Sequence, residues 1–144
     1  MKKGRIAVFA VMAAVTIGVA VFLIVKLAGG IRYKSSFAAT MCVESSRSKS
    51  AKLDFGSMKG TKVLKMKHDG SDNAYIEYSG KIGSGKLTVY YDDDGTKKEL
   101  FSLSAGERAD SVSEPLKKKG AVYIIIETDG KCTDGNFDFK IKKQ

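Results

Sequence analysis

The sequence predicts an all-β domain, an antiparallel β-sandwich of about eight strands, that follows one N-terminal transmembrane helix. Short runs of alternating apolar residues fill the chain from residue 37 onward, and glycine-containing turn sequences separate them. A stretch without any charged residue, 6–25, precedes that region. These patterns divide the chain into a cytoplasmic stub at 1–5, a membrane helix at 6–27, a linker at 28–36 and an extracytoplasmic domain at 37–144.

The apolar stretch is IAVFAVMAAVTIGVAVFLIV, with basic residues on both flanks. A helix of about 20 residues rises about 30 Å, which matches the hydrocarbon thickness of a bilayer. The alternative is a cleaved signal peptide, because Ala28, Gly29 and Gly30 are small enough for a signal peptidase. Cleaved signals carry a shorter apolar core of roughly 7–15 residues, so the sequence favours a permanent anchor.

The distribution of charge argues against nucleic acid as a partner. The formal net charge is +9, but residues 1–34 hold six Lys/Arg and no acid, which leaves 19 basic and 16 acidic residues from Ser35 onward. That balance is an ordinary protein surface, and the basic excess mostly flanks the apolar stretch. The short basic stub favours a cytoplasmic N-terminus, which places the C-terminal domain outside the cytoplasm at the cell membrane.

Eight segments of the C-terminal region have the two-residue period of half-buried strands. They are 37–44, 52–58, 61–68, 74–79, 86–91, 99–103, 121–127 and 136–142. Turn sequences lie between them at Asp69-Gly70, Gly83-Ser84-Gly85, Asp94-Gly95, Asp129-Gly130 and Asp134-Gly135. The segment 105–116 has few large apolar residues and a proline near its end, and is predicted to be a loop.

The ending KKKGAVYIIIETDGKCTDGNFDFKIKK resembles the last two strands of pre-peptidase C-terminal and galactose-binding-like jelly rolls. It is also similar to small membrane-anchored or lipoprotein-type bacterial β-sandwich proteins of unknown function. The resemblance covers about the last sixty residues and implies a jelly-roll-like sandwich. It carries no functional motif.

One candidate ligand site follows from strand parity. If Ile76 and Val89 point into the core and face each other across a hairpin of 74–79 and 86–91, then Tyr75 and Tyr90 lie side by side on the outer face. Such a pair is a platform for a sugar or a peptide, with polar contacts from the flanking Glu77 and Lys86. The plainer interpretation is that the two rings only stabilise the hairpin.

The remaining chemistry-bearing residues are few. Cys42 and Cys132 are the only two cysteines, and an extracytoplasmic location would permit a disulfide between them, with two reduced thiols as the alternative. The acidic run 92–94 lacks the alternating spacing of a Ca²⁺ loop, so no metal site is predicted there. The single histidine, His68, precedes a turn and is expected to be exposed.

The sequence therefore favours an extracytoplasmic binding or interaction module of the bacterial cell envelope over an enzyme. Its partner would be a cell-wall glycan or an envelope protein, and no cofactor is implied. A structural subunit of an envelope complex that acts through its membrane helix is the first alternative. A hydrolase is the weaker alternative, because His68 has no nucleophile motif beside it.

Overall fold

The computed structural model describes residues 33–143, and every regular element in that range is a β-strand. The strands are β1 Ser36–Thr40, β2 Val43–Arg47, β3 Ser50–His68, β4 Ala74–Lys81, β5 Ser84–Asp92, β6 Lys98–Ser104, β7 Arg108–Val112 and β8 Gly120–Lys143. No helix within residues 33–143 is long and apolar enough to cross a bilayer. The predicted membrane helix at 6–27 lies outside the described residues and stays a prediction.

All strand pairs are antiparallel, and the two longest strands, β3 and β8, pair with each other along nearly their whole length. The first part of β3, at 50–55, pairs with the last part of β8, at 135–140, and β2, β4 and β7 extend this front half of the sheet. The rest of β3 and the first part of β8 form the back half, which β1, β5 and β6 complete.

The pairing of β3 with β8 has an irregularity at Gly60, within the back half. Gly60 has a φ of 121°, and the β3–β8 register shifts between Lys59 and Thr61. The Gly60 N–H donates to the Thr128 hydroxyl oxygen at 2.7 Å, and that hydroxyl donates back to the Gly60 carbonyl at 3.2 Å. A Cβ at Gly60 would lie 2.3 Å from the Ser36 carbonyl oxygen, so only glycine fits this close approach.

The apolar faces of the two halves are buried against each other. Phe101 on β6 stacks on Tyr78 of β4 with 4.9 Å between ring centroids, and it also faces Phe137 of β8 at 6.2 Å. This arrangement is consistent with a β-sandwich. The predicted core parity is confirmed, because the alternating sets of all three clearest strands are buried: Leu87, Val89 and Tyr91; Val122, Ile124 and Ile126; Phe137, Phe139 and Ile141.

Several predicted boundaries are wrong. The separate strands predicted at 52–58 and 61–68 are one strand, β3, and those predicted at 121–127 and 136–142 are both parts of β8. Asp129-Gly130 is a bulge rather than a turn between strands, because pairing continues on both sides of it. The segment predicted as a loop at 105–116 contains β7, a short edge strand that pairs only with β4.

Candidate functional site

The predicted tyrosine pair does not form. β4 and β5 do not pair with each other: β4 pairs with β7 and with β8 at 136–143, whereas β5 pairs with β6 and with β8 at 123–133. The physical reason lies in the connection, where Ile82 is 3% exposed and belongs to the core. The chain at Ile82 therefore crosses from the front half to the back half, whereas a hairpin turn would leave that side chain in water.

The predicted outward parity is nevertheless confirmed for each strand. Tyr75, Glu77 and Tyr90 are half-buried between inward residues that are buried, and Lys86 is exposed. Tyr75 and Glu77 lie on the outer face of the front half, and Lys86 and Tyr90 lie on the outer face of the back half. The four residues predicted to form one site are thus divided between two surfaces.

The back half carries a shallow depression of about 360 Å³ on its outer face, here called the Tyr90 concavity. Strands β6, β5 and β8 form it side by side, and residue pairing sets its rows: Ser102 beside Thr88 beside Glu127, and Ser104 beside Lys86 beside Asp129. Its lining is Lys86, Leu87, Thr88, Tyr90, Ser102, Leu103, Ser104, Glu127, Thr128 and Asp129.

A lysine lies over the aromatic ring of this concavity. Lys97, from the turn between β5 and β6, places its Nζ 4.1 Å from the centroid of the Tyr90 ring and 2.5 Å from Glu127 Oε1. Sequence reasoning missed Glu127, Asp129 and Lys97 as site residues. Long-range pairing of β5 with β8 places Glu127 opposite Thr88 and Asp129 opposite Lys86, and Lys97 forms its ion pair with Glu127.

Apart from Lys86, hydroxyl groups make up the rest of the polar lining. Ser102 Oγ donates to Glu99 Oε1 at 2.8 Å, and the Thr88 and Ser102 hydroxyl oxygens lie 3.1 Å apart. With Ser102 committed as donor to Glu99, the Thr88 hydroxyl donates to Ser102. The lining therefore presents a flat ring, carboxylates and hydroxyls on neighbouring strands, which are groups suited to a polar ligand with apolar faces.

The carboxylates of the acidic turn after β5 accept hydrogen bonds from other groups of the protein. Asp92 Oδ1 accepts from the backbone N–H of Asp94 at 3.1 Å and of Gly95 at 2.7 Å. Asp93, which is buried, accepts from Lys98 Nζ at 3.1 Å and from the Lys117 N–H at 2.5 Å. These carboxylates hold the turn and join it to the segment before β8, and residues 33–143 contain no group of three or more His, Cys, Asp or Glu suited to a metal.

Hydrogen bonds, charge and burial shift the pKa values of Asp94 and Lys98 in and beside this turn. A hydrogen bond from the Thr96 N–H, and then the charge of Lys98, hold the pKa of Asp94 below its usual value. Burial lowers the pKa of Lys98, but its hydrogen bond to Asp93 and the charge of that carboxylate outweigh burial and raise the pKa overall. Both shifts favour the charged forms that hold the turn together.

The first described residues pack against the outer face of the back half. The Tyr33 hydroxyl donates to Asp92 Oδ2 at 2.6 Å, and its ring meets the Tyr123 ring edge-on at 5.4 Å. The Val63 N–H donates to Ser35 Oγ at 2.9 Å. Burial first, and then the bond to Asp92, raise the pKa of Tyr33, so its hydroxyl stays protonated and keeps donating.

The predicted disulfide is absent, and both cysteines are free thiols. Cys42 is exposed at the break between β1 and β2. Cys132 is fully buried opposite Met58, and its thiol donates to the Lys86 carbonyl at 3.1 Å. The two side chains therefore lie in different environments, one in solvent and one in the core.

His68 is buried rather than exposed, at 3%. Its Nδ1 lies 2.9 Å from the Lys118 carbonyl oxygen and its Nε2 lies 3.1 Å from the Ser71 carbonyl oxygen. The ring thus joins the β3–β4 turn to the segment before β8. With both nitrogens occupied by backbone, His68 has the contacts of a structural residue.

A smaller concavity, of about 190 Å³, lies on the outer face of the front half. Its lining includes Glu77, Ser79, Asp110, Asp138 and Lys140. Asp138 Oδ1 is buried and has no hydrogen-bond partner among the described residues, while its Oδ2 lies 3.7 Å from Lys52 Nζ. Tyr78 also lines this concavity, but its ring is buried and stacks on Phe101 in the core.

No family model and no curated protein sequence matches the chain. Solved structures similar to it include TmCBM61 in complex with β-1,4-galactotriose, at 14% identity and a TM-score of 0.40, covering 72% of this chain and 70% of that one. Another is the C-terminal CBM6 of LamC from Zobellia galactanivorans, at 10% identity and a TM-score of 0.39, covering 74% and 100%. A variant of a family 29 carbohydrate-binding module complexed with mannohexaose has 16% identity and a TM-score of 0.37, covering 79% and 81%.

Proposed function

We propose that this chain is a non-catalytic, extracytoplasmic binding module with a jelly-roll-like sandwich, held at the cell membrane by its apolar segment, and that it binds a glycan of the cell envelope. The observation that supports this proposal is the Tyr90 concavity. It is an open depression on a sheet face that combines a half-buried tyrosine ring, carboxylates and hydroxyls.

These groups match the surface chemistry of a sugar. One face of a pyranose ring carries C–H groups that pack on an aromatic ring, while its hydroxyls need hydrogen-bond partners at the edges. Tyr90 supplies the ring, and Thr88, Ser102 and Glu127 on adjacent strands supply hydrogen-bond acceptors within the same depression. The shallow, open shape suits a polymer that extends beyond the site.

The full chain, prepared from membranes washed with alkaline carbonate, is tested for retention on insoluble cell-wall glycan. A single apolar segment should keep the protein in the washed membranes, since such a segment is not held there by charge. Replacing Tyr90 with serine should weaken retention about tenfold or more, because the stacking surface is lost.

The matched control is Tyr75→Ser, which removes a half-buried tyrosine from the outer face of the opposite half. Retention of this variant should equal that of the unchanged chain. Equal losses in both variants, or no retention of the unchanged chain, would contradict a glycan site at Tyr90. Recovery of a mature protein in the medium with its N-terminus near Ile31 would contradict the anchor.

A further inference from the structure

The aromatic face of the Tyr90 concavity is already occupied by an ammonium group of the chain itself. Lys97 Nζ lies 4.1 Å from the ring centroid and 2.5 Å from Glu127 Oε1. A recognition site for ammonium forms where a ring face and a carboxylate contact the same cation, because the ring quadrupole and the carboxylate charge both attract it.

Lys97 is poorly placed to be a permanent part of the site. It belongs to the turn between β5 and β6 rather than to a strand, and its side chain is 34% exposed. Both of its contacts are of the surface type, in which water and side-chain freedom compete with attraction. The lysine can therefore leave the ring without disturbing the strands that carry Tyr90 and Glu127.

Departure of Lys97 leaves a negatively charged lining. Glu127 then loses its cation, and Asp129 lies one row away. Lys86 is the one lysine among the lining residues, and it lies opposite Asp129 in the β5–β8 register. An incoming positive group would restore the contacts that Lys97 gave up. A neutral sugar would instead have to compete with Lys97 and leave Glu127 without a cation.

We propose that the ligand carries a primary ammonium group, as in a glycan of amino sugars with free amines, and that Lys97 is an internal substitute for that group which the ligand displaces. This inference rests on the proposed function and specifies its ligand class. The ammonium of the ligand takes the position over Tyr90 beside Glu127, and the sugar ring extends along β5 toward Thr88.

The test compares two probes with one backbone: the tetramer of β-1,4-linked glucosamine and the tetramer of N-acetylglucosamine, at a pH where the free amines are protonated. The full chain in detergent should bind the amine tetramer roughly tenfold or more tightly than the acetylated one. Glu127→Gln should remove that preference. Lys97→Gln should tighten binding of the amine tetramer about three- to tenfold, because no internal cation then competes for the ring.

The matched control is Lys65→Gln. Lys65 also lies over a tyrosine ring of the back half, with its Nζ 6.0 Å from the Tyr123 centroid, but it does not line the concavity. This variant loses the same charge and should bind the amine tetramer as the unchanged chain does.

Weaker binding of the amine tetramer by Lys97→Gln would overturn the inference, as would equal affinity for the two tetramers. So would failure of both tetramers to bind while cell-wall glycan still retains the chain through Tyr90. In each of these cases the proposed glycan site stands. If neither the tetramers nor cell-wall glycan bind, the proposed function itself fails.

Discussion

The ion pair between Lys62 and Glu44 leads to the sharpest stability prediction. Lys62 lies on β3 opposite Ile126, at a position whose parity points its side chain toward the core, and it is 9% exposed. Its Nζ is 2.5 Å from Glu44 Oε2 of β2 and 4.8 Å from the centroid of the Phe37 ring. The Lys62 ammonium group is therefore stabilised by the Glu44 carboxylate and by the face of the Phe37 ring.

Removal of each partner should have a different consequence. Glu44→Gln leaves a largely buried ammonium without its counter-charge, a change that costs about 3–5 kcal/mol for fully buried pairs. The Glu44 side chain is 37% exposed, so water can partly replace it, and the expected loss is about 1–2 kcal/mol of the free energy of unfolding. Lys62→Met keeps the apolar stem and removes the desolvated charge, so it should be neutral or stabilising by up to about 1 kcal/mol.

Urea unfolding of the full chain in detergent, followed by circular dichroism, measures these changes. A shift of the urea midpoint with an unchanged m-value gives the change in the free energy of unfolding. The decisive variant combines both substitutions. In the Lys62→Met background, Glu44→Gln should cost less than about 0.5 kcal/mol, because the charge that Glu44 neutralises is gone. If Glu44→Gln costs as much there as in the unchanged chain, Glu44 does not act through Lys62 and the reasoning is wrong.

Two further predictions concern packing and thiol chemistry. A Cβ at Gly135 would lie 2.1 Å from the Phe55 ring, so Gly135→Ala should lower the free energy of unfolding by about 1–3 kcal/mol. The control is Gly56→Ala, whose Cβ would meet nothing nearer than 3.4 Å and which should cost clearly less in the same urea assay. Equal losses would show that the Phe55 contact is not responsible. Burial raises the pKa of the Cys132 thiol, so alkylation of the folded chain followed by mass spectrometry should label only Cys42, and Cys132 only after unfolding. Labelling of both at equal rates in folded protein would contradict the buried position.

The core could be predicted from the sequence because burial parity is a local property. Alternation at Leu87 and Val89, or at Phe137 and Phe139, names the buried face of a strand whatever its partners are. Glycine-containing sequences were less informative. A bulge such as Asp129-Gly130 inside β8 needs the same positive φ as a turn between two strands, and Gly130 indeed has a φ of 75°.

The pairing of strands could not be predicted, because it depends on residues far apart in sequence. Tyr90 and Lys86 were found from parity alone, but the acids of the same surface lie about forty residues away in sequence. Pairing of β5 with β8 places Glu127 opposite Thr88 and Asp129 opposite Lys86. The predicted neighbour Tyr75 failed for the same reason. A local signal did exist at Ile82, since a large apolar residue in the connection between two strands fits a crossover between sheet halves better than an exposed hairpin turn.

The acidic turn explains how a shallow surface depression can have a defined geometry. Strands β5, β6 and β8 supply its lining, and all three are tied together at the corner next to Tyr90. Asp92 closes the turn that leaves β5, Asp93 accepts from Lys98 at the start of β6, and the same carboxylate accepts from the Lys117 N–H on the segment that leads into β8. Because the strands are joined there by buried carboxylates, the Tyr90 ring and the Glu127 carboxylate keep their spacing when the Lys97 side chain moves away. Rigid strands and one displaceable side chain are the combination that an exchange of an internal ammonium for that of a ligand requires.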